Sequence, residues 1–217
     1  MFKLILFDFD GTLAAIGSKS KAIINRLSEK YHFGDMTFDD FWKMRDLNLK
    51  DVLKKLNIPM WKLPFLVADY KNWMQEYIQD EELTHLSWKR IIGELKAQVG
   101  RLGILTSNST ENAGIFLKLH DIADFDFIYS ASMFGKHRSL IKIINREKIL
   151  PREVLYIGDE IRDVEACRRA GVPVMSVTWG INSKEALLET APDYCVDSPE
   201  EIFSALGMSL GDAYAAC

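Results

Sequence analysis

Short apolar segments alternate with segments of helical periodicity along most of the chain, and this alternation limits the possible folds more than any other feature. The first apolar segment covers residues 3–9, is followed by Asp10 and Gly11, and is typical of a strand buried on both faces of a parallel sheet. Similar apolar segments predict further strands at residues 101–106, 127–129, 154–157, 172–177 and 194–196.

Apolar residues spaced about 3.6 apart occur between these strands and predict helices. The predicted helices cover residues 109–119, 139–148, 161–170, 184–189 and 200–206. Gly171 directly follows one of them and is the residue type that ends helices. Strands and helices that alternate in this way form right-handed βαβ units. The sequence therefore predicts an α/β fold, a doubly wound Rossmann-like parallel sheet with helices on both faces.

Residues 14–99 interrupt the alternation, because they contain helical spacing and no convincing strand. Helices are predicted at residues 22–31, 38–47, 51–56 and 63–77. Four tryptophans lie in this segment and are expected in the core of a small helical bundle; they are Trp42, Trp61, Trp73 and Trp88. We therefore predict two domains, a core domain formed by residues 1–13 and 100–217 and an inserted all-helical domain formed by residues 14–99.

Composition excludes several classes of protein. With 48% apolar and 27% charged residues, the 217-residue chain is globular rather than disordered. Its net charge of -4 argues against a general nucleic-acid-binding surface. The apolar runs are shorter than the roughly 20 residues of a membrane span, and no secretory signal is apparent. We expect a cytoplasmic protein that binds neither nucleic acid nor a membrane, with three free cysteines.

The first predicted strand ends in two acidic residues, at the edge of the sheet where ligands of α/β proteins bind. Asp8 and Asp10 leave the strand on the same side, and Gly11 permits a close turn of the backbone. Two neighbouring carboxylates repel each other unless a cation is present. The pair therefore predicts either a metal site or a catalytic acid–base pair.

Polar side chains also follow three other predicted strands. Ser107 and Asn108 precede a helix N-terminus, which suits either anion binding or simple capping. Lys136 stands before another helix and, taken alone, is more typical of a solvated surface charge. Asp159 and Asp163 are four residues apart, within one helical turn, and acids at this place also cap helices.

These four groups, in this order, resemble the motifs of the haloacid dehalogenase-like hydrolase superfamily, the aspartate-nucleophile phosphatases. DFDGTL at residues 8–13 resembles the first motif, TSN at 106–108 the second, Lys136 the third and GDEIRD at 158–163 the fourth. The helical insertion resembles the cap of the subgroup that includes phosphoglycolate phosphatases and β-phosphoglucomutases. The segment from Gly158 to Gly180 looks most like the phosphoglycolate phosphatase branch.

The resemblance implies a role for each acidic residue. Asp8 would be the nucleophile that forms an aspartyl-phosphate, and Asp10 would be the acid–base residue. A Mg²⁺ cofactor would be bound by Asp8, by the backbone carbonyl of Asp10 and by Asp159. Asp163 would be a water-mediated ligand of the metal or would orient the other ligands.

The resemblance also implies which residues bind the substrate. Ser107 and Asn108 would hold the phosphoryl oxygens, while Lys136 would offset negative charge at the nucleophile. Thr12 is placed with them, although a threonine after glycine can equally fix the turn. In the cap, Arg45 resembles a basic position of related caps and is expected to contact a second anionic group of the substrate.

The predicted function is a Mg²⁺-dependent phosphatase that acts on a small phosphorylated metabolite, with phosphoglycolate suggested by resemblance. An acid at position 10 favours phosphoryl transfer over carbon–halogen cleavage. Two alternatives stay open, a β-phosphoglucomutase-like mutase and a non-enzymatic binding protein that keeps the fold. The helical insertion argues against a third alternative, a receiver-like domain with a phosphorylatable aspartate. The sequence departs from the family's pattern at Ala14 and Ala15, which follow the first motif, and at His137, which follows Lys136. These departures leave the contacts of the cap open.

Overall fold

The computed structural model describes residues 2–16, 18–33, 38–47, 49–132 and 135–211. Within these ranges six strands form a single parallel sheet. The strands are β1 (Leu4–Phe7), β2 (Leu102–Thr106), β3 (Phe127–Ser130), β4 (Val154–Gly158), β5 (Val174–Val177) and β6 (Tyr194–Val196). The predicted strands are confirmed, and their bounds shift by at most two residues at either end.

The strand order across the sheet is β3-β2-β1-β4-β5-β6. β1 is central and pairs with both β2 and β4, so that Phe7 lies beside Ile104 on one side and Ile157 on the other. The winding direction reverses between β1 and β4, and this reversal leaves a crevice outside the carboxyl ends of these strands. The doubly wound α/β fold is confirmed, and Asp8 begins the loop that enters the crevice.

Helices flank the sheet and form the inserted segment. The α-helices are α1 (Ser18–Tyr31), α2 (Phe38–Lys43), α3 (Leu49–Lys55), α4 (Leu63–Tyr77), α5 (Trp88–Val99), α6 (Thr110–Leu119), α7 (Lys136–Glu147), α8 (Ile161–Ala170), α9 (Lys184–Glu189) and α10 (Glu201–Ala205). Single 3₁₀ turns occur at Met60–Lys62, Ile78–Asp80 and Pro151–Glu153. Gly171 ends α8 in the left-handed conformation with φ of 68°, as predicted.

The core lies on both faces of the sheet because successive side chains of a strand point to opposite faces. Ile5 and Phe7 point to one face, where they belong to a buried cluster that includes residues of α5, α6 and α10. Leu4 and Leu6 point to the other face, in a cluster with residues of α7 and α8. Burial on both faces explains why the strands are continuously apolar rather than alternating.

The inserted helices have a small core of their own, formed by α1, α3 and α4. Its buried residues are Ile23, Leu27, Leu53, Ile58, Leu63, Leu66 and Met74. Trp73 packs against this cluster as expected. The expectation is wrong for Trp61, which is 67% exposed, and for Trp88, which is buried against Phe7 in the sheet core. Trp42 is half-buried beside Arg45.

Helix α5 therefore packs with the sheet, although it lies within the segment predicted as the inserted domain. Trp88, Ile91, Ile92 and Leu95 are fully buried in the same cluster as Phe7. We propose two domains, a core and a helical cap, with the boundary of the cap moved to a position before Trp88. The name cap is used for helices α1 to α4.

The expectations about membrane spans and cysteines can be compared with the described residues. None of their helices is long and apolar enough to cross a membrane. Cys167 and Cys195 are free thiols, the first buried and the second half-buried. Cys217 lies outside the described residues.

Candidate active site

Asp8 is the first residue after β1 and its carboxylate is held on both oxygens. Its backbone N–H donates to the Ile157 carbonyl at 2.8 Å, which fixes the start of the loop. Its Oδ1 accepts from the Phe9 N–H at 2.8 Å, and its Oδ2 accepts from Lys136 Nζ at 2.7 Å. The side chain is buried. The sequence places this carboxylate at the centre of the sheet edge, and the hydrogen bonds orient it toward the crevice.

Lys136 begins α7 and is buried, so the alternative of a solvated surface lysine is wrong. Its Nζ donates to Asp8 Oδ2 at 2.7 Å and to Asp163 Oδ1 at 2.6 Å. Burial alone would lower the pKa of this ammonium, but the charges of Asp163 and Asp8 outweigh burial and raise it. Lys136 is therefore a permanent cation between two carboxylates.

Three buried carboxylates meet at this point. Oxygens of Asp8, Asp159 and Asp163 all lie within 4.8 Å of one another. Asp159 accepts from the Thr12 hydroxyl and from the Ile181 N–H, both at 2.8 Å. Burial and the neighbouring acids raise the pKa of Asp159 well above its ordinary value.

One oxygen of this cluster has no hydrogen-bond partner. Asp163 Oδ2 is buried and unpaired within the described residues, while its Oδ1 binds Lys136. Burial, opposed by Lys136 but supported by the Asp8 charge, raises the pKa of Asp163 to about 7. A single lysine cannot neutralise three buried carboxylates. A hard divalent cation with oxygen ligands fits this donor set.

Glycines make room for these carboxylates. A Cβ on Gly11 would lie 2.2 Å from Asp159 Oδ2, and one on Gly158 would lie 2.4 Å from Asp163 Oδ2. Gly180 is as close, because a Cβ there would lie 2.2 Å from the Asp159 Cβ. The backbone therefore packs directly against two of the three acids.

Asp10 is half-buried and faces the amide of Asn108. Asn108 Nδ2 donates to the two carboxylate oxygens at 3.0 and 3.3 Å. Burial and the charge of Asp8 raise the pKa of Asp10 to about 7, although the hydrogen bond from Asn108 acts in the opposite direction. A carboxyl group with such a pKa can both donate and accept a proton near neutral pH.

The polar residues after β2 have separate partners. Ser109, and not Ser107 or Asn108, caps α6, because Ser109 Oγ accepts from the Asn112 N–H at 3.0 Å. Ser107 is half-buried and its Oγ lies 3.5 Å from Arg162 Nη2. Simple capping therefore does not account for Ser107 and Asn108.

Thr12 is buried in the loop after β1. Its hydroxyl donates to Asp159, and its carbonyl accepts from Trp179 Nε1 at 3.0 Å and from Thr84 Oγ1 at 2.7 Å. These contacts favour the role in which Thr12 fixes the turn. A direct contact with phosphate stays a prediction.

Arg45 follows α2 in the cap, and its described side-chain contacts are to cap residues. Its guanidinium lies 5.1 Å from the Trp42 ring centroid, and its Nε lies 4.0 Å from Asp46 Oδ2. Its backbone carbonyl accepts a hydrogen bond from Asn182 in the core. No contact is described between the Arg45 side chain and the acidic residues at the sheet edge. The contact of Arg45 with an anionic group of the substrate stays a prediction.

Three residues near the site received no role from the sequence. Arg162 lies inside the fourth motif, forms an ion pair with Glu160 and reaches toward Ser107. Asn112 lies in the first turn of α6, and its side chain donates to Asn108 Oδ1 in the loop that precedes the helix. Lys71 of α4 carries no sequence signal, because its position near Asp10 depends on how the cap packs. Burial lowers the pKa of Lys71, and the charge of Asp10 opposes that effect.

The geometry agrees with a comparison against known families. The family model for haloacid dehalogenase-like hydrolases matches residues 5–177 of this chain, a range that contains all four motifs. The chain belongs to the haloacid dehalogenase-like hydrolase family. The predicted resemblance is thereby confirmed.

Relatives of this hydrolase include curated enzymes. A phosphoglycolate phosphatase from Synechococcus elongatus is 28% identical over 204 residues, which are 93% of this chain and 96% of that protein. A phosphoglycolate phosphatase from Escherichia coli is 28% identical over 122 residues, and the match spans about half its length (48%). The predicted enzyme class, a phosphatase of this superfamily, is confirmed by these relatives together with the family match.

Solved structures share the fold of this hydrolase. A haloacid dehalogenase-like hydrolase from Streptococcus pneumoniae superposes with a TM-score of 0.79 at 21% identity. The superposition covers 94% of this chain and 98% of that one. At this identity the likeness supports the architecture, including the helical insertion, and not a substrate.

Proposed function

We propose that this hydrolase is a Mg²⁺-dependent phosphatase that cleaves small phosphate monoesters through an aspartyl-phosphate on Asp8. The observation that carries the proposal is the buried cluster of Asp8, Asp159 and Asp163, in which Lys136 is the only ion-pair partner among the described residues. Beside it lies Asp10, a carboxyl group suited to proton transfer near neutral pH. This combination matches the needs of phosphoryl transfer.

The metal would be held by the carboxylates of Asp8 and Asp159 and by the backbone carbonyl of Asp10. Asp163, with its unpaired buried oxygen, would complete the site directly or through water. Bound Mg²⁺ supplies positive charge that offsets repulsion between the nucleophile and the phosphate oxygens.

In the first step a carboxylate oxygen of Asp8 forms a bond to phosphorus while the bond from phosphorus to the ester oxygen breaks. Lys136 holds the Asp8 carboxylate in place and reduces its charge. Protonated Asp10 gives its proton to the leaving oxygen, so the product departs as a neutral alcohol.

In the second step the phosphoryl group passes to water. Asp10, now ionised, takes a proton from the water as the water oxygen attacks phosphorus. The bond between Asp8 and phosphorus breaks, which regenerates the Asp8 carboxylate and releases inorganic phosphate. Asp10 is protonated again, and the cycle is complete. Ser107 and Asn108 would bind the phosphoryl oxygens throughout.

Phosphoglycolate is the substrate that we propose first, because the Synechococcus relative matches over nearly its whole length. The proposed partner is thus a small phosphorylated metabolite, and no nucleic acid or membrane is part of the proposal. The cytoplasmic location stays a prediction from the sequence.

Phosphate release from phosphoglycolate, sugar phosphates and p-nitrophenyl phosphate, with Mg²⁺ or EDTA, tests this function. We expect Mg²⁺-dependent release by the wild type and its loss, by about 1,000-fold or more, in Asp8→Asn. Asp39→Asn, on the exposed surface of α2, is the matched control and should keep full activity.

Absence of release from every ester by the folded wild type would overturn the proposal. Transfer of the phosphoryl group to a second hydroxyl of a sugar phosphate, in place of release, would instead support the mutase alternative.

A further inference from the structure

A chain of buried amide groups connects the cap to Asp10. Asn108 Nδ2 donates to Asp10 Oδ1 at 3.0 Å, and Asn108 Oδ1 accepts from Asn112 Nδ2 at 3.0 Å. Asn112 Nδ2 also donates to the backbone carbonyl of Lys71, at 3.2 Å. Asn108 and Asn112 are both at most 2% exposed. Two core side chains thus bridge the backbone of cap helix α4 and a carboxylate of the site.

The bonding pattern fixes which way each amide points. Asn108 Oδ1 accepts twice, from Asn112 and from the Ser109 N–H at 2.7 Å, so its amino group must face Asp10. The amino group of Asn112 has two hydrogens and two acceptors, one in the core and one in the cap. If α4 moved away, a buried N–H of Asn112 would lose its acceptor, and the cost of that loss favours the docked cap.

Lys71 approaches Asp10 with its side chain as well. Its ammonium is close enough for the Asp10 charge to favour its protonated form, and the residue is half-buried. One cap residue therefore supplies both the carbonyl that binds Asn112 and a positive charge near Asp10.

We propose that Asn112 is a positioning residue that couples docking of α4 to the orientation of Asp10. When the cap is docked, the Lys71 carbonyl holds Asn112, Asn112 holds the oxygen of Asn108, and the amino group of Asn108 orients Asp10 for proton transfer. When the cap is raised, this orientation is lost. Proton donation to the leaving oxygen is thereby restricted to the docked state, in which the cap limits access of water. The catalytic part of this inference rests on the proposed phosphatase function.

Leaving groups of different basicity test the proposal. Asn112→Asp keeps the shape of the side chain but replaces the donating amino group by an oxygen, and Asn112→Ala removes the amide. In both, kcat/KM for an alkyl ester such as phosphoglycolate should fall by about 10–100-fold, because an alkoxide needs the proton of Asp10. For p-nitrophenyl phosphate, whose leaving group departs unprotonated, the fall should stay within about 3-fold. Glu111→Ala, on the exposed side of the same turn, is the matched control.

Equal losses for both esters would indicate a merely structural role and would overturn the proposal, as would no loss for either. A second measurement needs no substrate. In ¹⁵N-labelled protein, the Asn108 side-chain amide signal should shift in Asn112→Asp and stay unchanged in Glu111→Ala. An unchanged signal in Asn112→Asp would overturn the coupling. Failure of the wild type to release phosphate would overturn the proposed function alone, since the amide signal still decides the coupling.

Discussion

At the scale of single residues, the chemistry of the site depends on which carboxylate oxygens have partners. Both oxygens of Asp8 accept hydrogen bonds, whereas Asp163 has one oxygen on Lys136 and one that is buried without a partner among the described residues. Asp10 is set apart because burial and the charge of Asp8 raise its pKa to about 7, and its hydrogen-bond partner, the Asn108 amide, is neutral. Similar side chains thus acquire different roles from their neighbours.

Gly180 offers a test of the proposed metal site at this scale. In Gly180→Ala the new methyl group would displace the carboxylate of Asp159, so we expect Mg²⁺ affinity to fall by about 10–100-fold. Isothermal titration calorimetry measures this affinity directly. Gly114→Ala on α6 is the control, because the nearest atom to its new Cβ is 4.0 Å away. Equal affinities in the two variants would contradict the assignment of Asp159.

At the scale of elements, α5 shows how packing overrides the order of segments along the chain. Its helical spacing is like that of the preceding cap helices, so the sequence assigns it to the same domain. In the structure, its apolar face covers the sheet, with Trp88 edge-on to Phe7 at 5.8 Å between ring centroids. Periodicity identifies a buried face, but it does not identify the surface that covers it.

The two tryptophans Trp88 and Trp61 should therefore differ in their effect on stability. Trp88→Leu removes a fully buried ring and its hydrogen bond to Thr84 Oγ1, so the free energy of unfolding should fall by about 2 kcal/mol or more. Trp61→Leu, at an exposed position, should change it by no more than about 0.5 kcal/mol. Urea unfolding followed by circular dichroism measures both. Similar losses would be at odds with the packing of α5 on the sheet.

The ion pair and hydrogen bond of Asp69 between α1 and α4 predict that the stability of the fold depends on pH. Burial alone would raise the pKa of Asp69, but hydrogen bonds from Lys30 and Tyr31, both 2.6 Å long, lower it below 3.8. Because the folded-state pKa is lowered, the ionised carboxylate stabilises the fold above about pH 4, and this contribution is lost as the pH falls further.

Asp69→Asn should therefore reduce the free energy of unfolding by about 1 kcal/mol at pH 7 and by much less near pH 3. Denaturant unfolding at both pH values measures the difference, with Glu29→Gln on the exposed side of α1 as the control. A loss of the same size at both pH values would show that the ionised form of Asp69 is not the source of the stability.

At the scale of the whole molecule, the sheet edge brings Asp8 together with residues more than 100 positions away along the chain, and this placement was predictable from the sequence. Parallel strands align their carboxyl ends at one edge of the sheet. The sequence places three residues after or opposite such strand ends, and they are Asp8, Lys136 and Asp159. The positions of Lys71 and Arg162 were not predictable, since a basic residue on a helix is usually solvated. Where Lys71 lies depends on how the cap packs over the core, which local sequence does not encode.

The proposed mechanism requires that Asp8 carry the phosphoryl group, and chemical trapping examines this directly. The enzyme is mixed with Mg²⁺ and substrate, quenched in acid, reduced with borohydride and digested for mass spectrometry. Reduction converts an aspartyl-phosphate to homoserine, so we expect homoserine at position 8 in the wild type and none without substrate. Rapid phosphate release with homoserine at another acidic residue, or at none, would contradict the role of Asp8.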